Sequence, residues 1–292
     1  MKHFQFNQIY IIESLPEGER HTGCAIYEDV KIMALQYDGL EVRYKDINNI
    51  QEWNGLMDEI LADCCSNGKI PILHLEIHGE ESGKGLVLKN KDFVPLEYVG
   101  HQFRQINVAT GCNLFLTLGV CKGLYLLFNM HPNLPMPFIG AVGSFDNLNS
   151  YDIECRYFQF YDTFFNTLDI AKAYVALINE NTGIDPKYRY IAADEIFYKC
   201  YQRYIKENCS EAEVKNRASE SIREAGIAIN RNDRRKKERE FVKQEKKMRK
   251  AYYMQAINTF FDIEHFPDNL DRFDVPLTFK ALEEKCKQLT TI

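Results

Sequence analysis

Two apolar runs in this chain each end at a residue able to do chemistry. Pro71-Ile72-Leu73-His74-Leu75-Glu76-Ile77-His78-Gly79 closes on His-Gly, and Asn113-Leu114-Phe115-Leu116-Thr117-Leu118-Gly119-Val120-Cys121-Lys122-Gly123 carries a cysteine 43 residues after His78. A free thiol titrates near ~8.5, and only the thiolate is a strong nucleophile. An imidazole beside it takes the proton or assists departure of a leaving amine. Gly79 permits close backbone approach, so its N–H and that of Cys121 are the natural donors to a developing oxyanion. Cys121 sits where a strand turns into a helix, and a helix start favours negative charge. Lys122 adds a cation beside the thiolate. Taken alone, Cys121 reads as a buried structural cysteine, the commonest state of a free thiol. His74 and Glu76 share strand parity with His78 and read as sheet-face residues, either being a candidate to orient His78. Cys64, Cys65 and Cys112 read as packing or surface residues.

The elements that must deliver these groups follow from periodicity. Ile9-Tyr10-Ile11-Ile12 is a buried first strand followed by a polar turn from Glu13 to Gly23, and Leu40–Tyr44 alternates as a second strand. Ile50–Cys65 has helical spacing through Trp53, Leu56, Met57, Ile60 and Leu61. After the His78 run, Gly85–Leu88 reads as a short hairpin strand and Leu96–Val108 as a helix. Gly123–Met130 begins a helix stopped near Pro132, Pro137–Gly143 is a strand, and Tyr151–Asn179 is helical and rich in aromatics. Strands alternating with helices predict an α/β fold with a mainly parallel sheet covered on both faces. Such sheets bind ligands outside the carboxyl ends of their strands, where His78 and Cys121 fall. Beyond Tyr190 no strand pattern is visible. The chain divides into an α/β domain over 1–190 and a helical, charged extension over 191–292. Within the extension, 211–261 reads as one or two long helices and Leu277–Leu289 as a short last one.

The order of hydrophobic strand, His-Gly, helix, hydrophobic strand and Cys resembles the caspase-like cysteine peptidase superfamily, which includes caspases, gingipains, separase and CHAT-domain proteases, and points to a bacterial member. The resemblance covers about residues 5–180. It implies a caspase-like three-layer α/β/α sandwich with Cys121 as nucleophile, His78 as base or leaving-group acid, and Gly79 with Cys121 lining the oxyanion hole. It implies a protein substrate, no metal or cofactor (some relatives need calcium), and a role such as antiphage defence by activating a pore-forming protein. The chain departs from the family at Val120, where a small residue is common, and at Gly119, where many members carry the Gln or Asp of the S1 pocket. Arg20 lies near the position of an arginine that binds substrate aspartate in some caspases. Asp146 and Asp152 suit a basic P1 side chain instead.

Composition narrows the alternatives. With 292 residues, 45% hydrophobic and 27% charged, the chain has a globular composition, and a formal net charge of −6 gives no general affinity for nucleic acid. Residues 231–250 hold 11 Lys/Arg against 4 Asp/Glu. Glu238, Glu240 and Glu245 interleave with this run, so it reads first as a solvated helix face with internal ion pairs. Docking to an acidic protein partner, or more weakly to nucleic acid through Arg231–Lys250, is the functional alternative. No apolar stretch approaches membrane-spanning length and the first residues carry no signal-peptide pattern, which predicts a cytoplasmic protein. Nine scattered cysteines with no Cys-x-x-Cys pair argue against a disulfide framework and for a reducing compartment. Gly79–Gly85 contains Gly-Lys but lacks the phosphate-loop pattern. The rivals to a peptidase are an inactive interaction module on the same fold that binds through its helical region, and a different α/β hydrolase or nucleotide-binding regulator.

Overall fold

Strand β1 (Gln8–Ser14) is buried along its whole length, as its apolar run predicts. Its parallel neighbours are β2 (Glu41–Asp46) and β3 (Pro71–Gly79). The sheet continues through β6 (Phe115–Leu118) and β7 (Gly140–Ser144) to β8 (Tyr188–Ala192), in the order β2-β1-β3-β6-β7-β8. All of these pairs are parallel except β7–β8. A small antiparallel extension, β4 (Gly85–Val87) and β5 (Phe93–Pro95), hangs from the end of β3. The computed structural model describes residues 4–224 and 230–289, in two compact units: Met1–His131 with Pro135–Ala193, and Pro132–Leu134 with Asp194–Ile292.

Helices cover both faces of the sheet, and the pleat shows which residues meet them. In β3, His74 touches Tyr157 and Tyr161 of α4 (Ser150–Thr167), whereas Tyr10, level with Leu73 on β1, bonds Asp63 of α2 (Ile50–Asn67) on the opposite face. Helix α1 (Thr22–Ala34) packs on α4, and α4 on α5 (Ile170–Asn179). Across the sheet, α2 packs on α3 (Leu96–Ala109), with Trp53 donating to Gln102 at 2.7 Å. The architecture is α/β with a mainly parallel mixed sheet.

Three features depart from the expectations. β8 lies beyond the last strand the periodicity marks; its five residues form an antiparallel edge, where pairing does not demand a continuous apolar run. Helix α1 follows directly from what reads as a polar turn. Its first turn has no side-chain cap of its own, because the Glu13 carboxylate on β1 accepts from the amides of Gly23 and Cys24 and does the capping from a neighbouring element. The segment after Cys121 is a 3-10 helix (Gly123–Asn129) and not an α-helix.

The second unit contains α6 (Ala193–Asn208), α7 (Glu211–Glu224), α8 (Arg231–Phe260), α9 (Asn269–Arg272) and α10 (Phe279–Gln288). Residues 225–229, inside the expected charged helical stretch, lie outside the described residues. The interior of this unit is aromatic, with Phe197, Tyr198, Tyr253, Phe260 and Phe261 buried together. Tyr252, expected with them as a core contact, is exposed. Within α8 the expected kind of ion pair is Arg234–Glu238, whereas Glu245 pairs with Arg217 of α7, and Ser219 of α7 donates to Glu238.

Candidate active site

His78, near the end of β3, and Cys121, three residues past the end of β6, both line one cleft at the carboxyl ends of these adjacent strands. β3 and β6 pair in parallel with Ile72 opposite Phe115 and His74 opposite Thr117, the same offset of 43 residues that separates His78 from Cys121. Pleat parity puts His74, Glu76 and His78 on one face of β3, with Thr117 of β6 beside His74. Both reactive residues line one cleft of about 200 Å³ at the carboxyl ends of the strands, with Glu76, Gly119, Arg20 and Glu19.

Gly79 is fixed by its contact with the nucleophile. A Cβ on Gly79 would lie 1.7 Å from the carbonyl oxygen of Cys121, so the two backbones touch at the one residue type that allows it. Lys122, next in sequence, adopts the left-handed conformation (φ 58°, ψ 19°) and turns the chain sharply into the 3-10 helix. Its amide donates to Asp146 O at 3.0 Å, which ties this turn to the segment after β7. The Lys122 ammonium does not stand beside the sulfur as expected: it bonds the carbonyl of Glu81.

The two reactive groups have separate partners in this state. Sγ of Cys121 accepts from the amide of Leu148 at 3.2 Å. The imidazole of His78 bonds Glu19 through Nε2 at 2.7 Å, with the two side chains 45% and 46% exposed. A carboxylate on Nε2 orients the ring. The orienting acid is thus Glu19, from the loop after β1, and neither His74 nor Glu76. It was not singled out in the sequence because nothing local marks one Glu in the Pro16–Arg20 turn.

Beneath the cleft lies a buried polar network. His74 bonds Glu76 through Nε2 at 2.8 Å and Thr117 through Nδ1 at 2.8 Å, and Tyr161 stands 3.3 Å from the same Nδ1. The second oxygen of Glu76 accepts from Thr22 at 2.7 Å. Burial raises the pKa of Glu76 against the opposing effect of its bond to His74. Glu13, adjacent to Glu76 across β1–β3, is saturated: it accepts from the amides of Gly23 and Cys24, from Tyr44, and from His21.

The expected substrate-binding residues fare differently. Arg20 lines the cleft, but its guanidinium makes a two-pronged pair with Glu154 at 2.6 and 2.8 Å and lies over the ring of Tyr151. Gly119 also lines the cleft; a Cβ there would fall 1.9 Å from Oε1 of Glu76, so the Glu76 carboxylate occupies the space of the missing side chain. Asp146 is exposed and is not part of the cleft wall. Asp152 is a correction: it is 2% exposed, paired with the buried Arg156 and accepting from Thr182, a structural lock and not a receptor for substrate. A local sequence cannot distinguish an acid already paired one helical turn away from one left free.

Comparison with protein-family models and with curated proteins gives no match for this chain. No helix among the described residues is long and apolar enough to cross a membrane, and no group of three or more His, Cys, Asp or Glu there is arranged to hold a metal ion. All nine cysteines are free thiols.

Proposed function

We propose that this chain is a caspase-like cysteine endopeptidase acting through Cys121 and His78. The observation that carries the reading is that an imidazole and a thiol line one cleft at the carboxyl ends of the adjacent parallel strands β3 and β6. In the proposed reaction His78 removes the thiol proton and Sγ bonds to the scissile carbonyl carbon. The amide C–N bond then breaks as the imidazolium protonates the departing amine, leaving a thioester on Cys121. Water, deprotonated by His78, attacks the thioester and regenerates the thiol. The Gly79 and Cys121 amides are the proposed oxyanion donors. Glu19 orients the imidazole. The enzyme would work in a reducing compartment such as the cytoplasm, on a protein substrate, and release of a pore-forming protein in antiphage defence is the role we favour.

Cleavage of a diverse peptide library by the wild-type protein, Cys121→Ala and His78→Ala, with and without calcium ions, tests the reading. Cuts after one residue type that vanish in both variants are expected; equal cutting by wild type and variants would sink it.

One observation favours a second reading. The thiol rests on Leu148 and the imidazole on Glu19, each engaged elsewhere. That arrangement suits a binding module whose helical second unit recognises a partner. Loss of partner binding on deleting 210–292, with no effect of Cys121→Ala, would favour this reading over the peptidase.

A further inference from the structure

The cleft beside Cys121 has an acidic floor with unused hydrogen-bonding capacity. Glu76 is 1% exposed, lines the cleft, and projects its carboxylate into the volume that a side chain at position 119 would fill. A carboxylate offers roughly four acceptor positions. Glu76 uses one for His74 and one for Thr22, and no Lys or Arg among the described residues forms an ion pair with it. Its one titratable bonding partner, His74, is also held by Thr117 through its other nitrogen, so it engages one oxygen of Glu76 only. A cationic side chain entering the cleft would fill the open acceptor positions of this buried acid and favour its carboxylate form.

The other charged groups near the cleft are already engaged. Glu13 is saturated by its four donors, Glu154 holds Arg20, Asp152 holds Arg156, and Glu19 holds His78. Arg20 would be the natural receptor for an acidic side chain, but its guanidinium is committed to Glu154. The cleft lining also includes Leu15, Leu148 and Ile153, apolar surface suited to a methylene chain. At about 200 Å³ the cleft is below the roughly 300–1,000 Å³ of pockets for drug-sized ligands, so it takes one side chain.

We propose that Glu76 is the specificity-determining residue of the cleft and that it selects a basic side chain, arginine or lysine, at P1 of the substrate. The carboxylate reaches the pocket from β3, the strand that carries His78, and occupies the space left by Gly119, just past the end of β6. This inference rests on Cys121 being the nucleophile.

The test uses the full chain and peptidyl acyloxymethyl ketones identical except at P1, with arginine, lysine, citrulline, aspartate or leucine. The sulfur displaces the carboxylate of such a probe and leaves a thioether, which intact mass and peptide mapping locate at Cys121. Citrulline keeps the shape of arginine and removes its charge. The arginine or lysine probe is expected to label Cys121 at least tenfold faster than citrulline, aspartate or leucine. In Glu76→Gln the arginine-to-citrulline ratio should fall towards one; should that variant misfold, the wild-type ratio decides alone. Fastest labelling by aspartate or leucine, or equal labelling by arginine and citrulline, overturns the assignment of Glu76 and leaves the peptidase reading standing. Absence of labelling at Cys121 by every probe overturns the nucleophile itself, and this inference with it.

Discussion

Replacing Gly79 with alanine should both disable the site and destabilise the protein. The added Cβ would stand 1.7 Å from the Cys121 carbonyl oxygen, where real contacts essentially never fall below 3.0 Å. One backbone must therefore retreat by roughly 1.3 Å, and close-packed interiors do not absorb such a shift locally. Overpacking of this kind costs about 1–3 kcal/mol, or roughly 3–10 °C in melting temperature for a domain of this size. The retreat separates the two residues proposed to act together. A displacement near 1 Å costs about 100-fold in rate, equivalent to ~2.7 kcal/mol of barrier. Gly55→Ala is the control: it lies exposed in α2 with nothing within 4 Å of the place its new methyl group would take, so it should stabilise by roughly 0.4–1 kcal/mol. Thermal melts and peptidase rates on both variants check this. Gly79→Ala with wild-type kcat/KM would refute the argument that the β3 and β6 ends touch at this residue.

Four further outcomes are expected. Burial raises the pKa of Glu76 above its ordinary 4.5, so its contribution to stability is full below 4.5 and lost as pH rises through the folded value. Wild type should therefore lose melting temperature relative to Glu76→Gln as pH rises from 4.5 towards neutrality; a pH-independent difference would contradict this. Glu19→Gln should lower kcat roughly tenfold or more while changing stability by only ~0–1 kcal/mol, since its pair with His78 is half exposed; an unchanged kcat would remove Glu19 from the site. Arg156→Leu should cost about 3–5 kcal/mol, because it strands the buried Asp152 and abandons the carbonyls of Leu177 and Ile184; a melt within about 2 °C of wild type would show the pair to be dispensable. Cys64, buried and pushed up to about 12, should resist alkylation in the native protein while the adjacent, exposed Cys65 reacts, as peptide mapping would show.

The sequence was most legible where one interaction dominates. The β3 and β6 runs are buried, adjacent parallel strands, as their apolar character predicts, and His78 and Cys121 near their carboxyl ends line one cleft. What stayed hidden depended on contacts distant in the chain. α1 is capped by Glu13 from another element, and Glu19 reaches His78 across 59 residues. The buried acids misled in both directions. Glu76 looked like a sheet-face residue but floors the cleft, and Asp152 looked like a candidate for the substrate pocket but is locked to Arg156. Local patterning reports burial by periodicity, and it carries no information about which buried charge already has its partner.

The most direct measurement is a double-mutant cycle on the peptide that the library selects, comparing kcat/KM for wild type, Cys121→Ala, His78→Ala and the double variant. Two residues acting as one unit predict a loss of about 1,000-fold or more in each single variant and no further loss in the double. His78→Ala with near wild-type turnover, or losses that multiply in the double variant, would contradict a Cys121–His78 dyad.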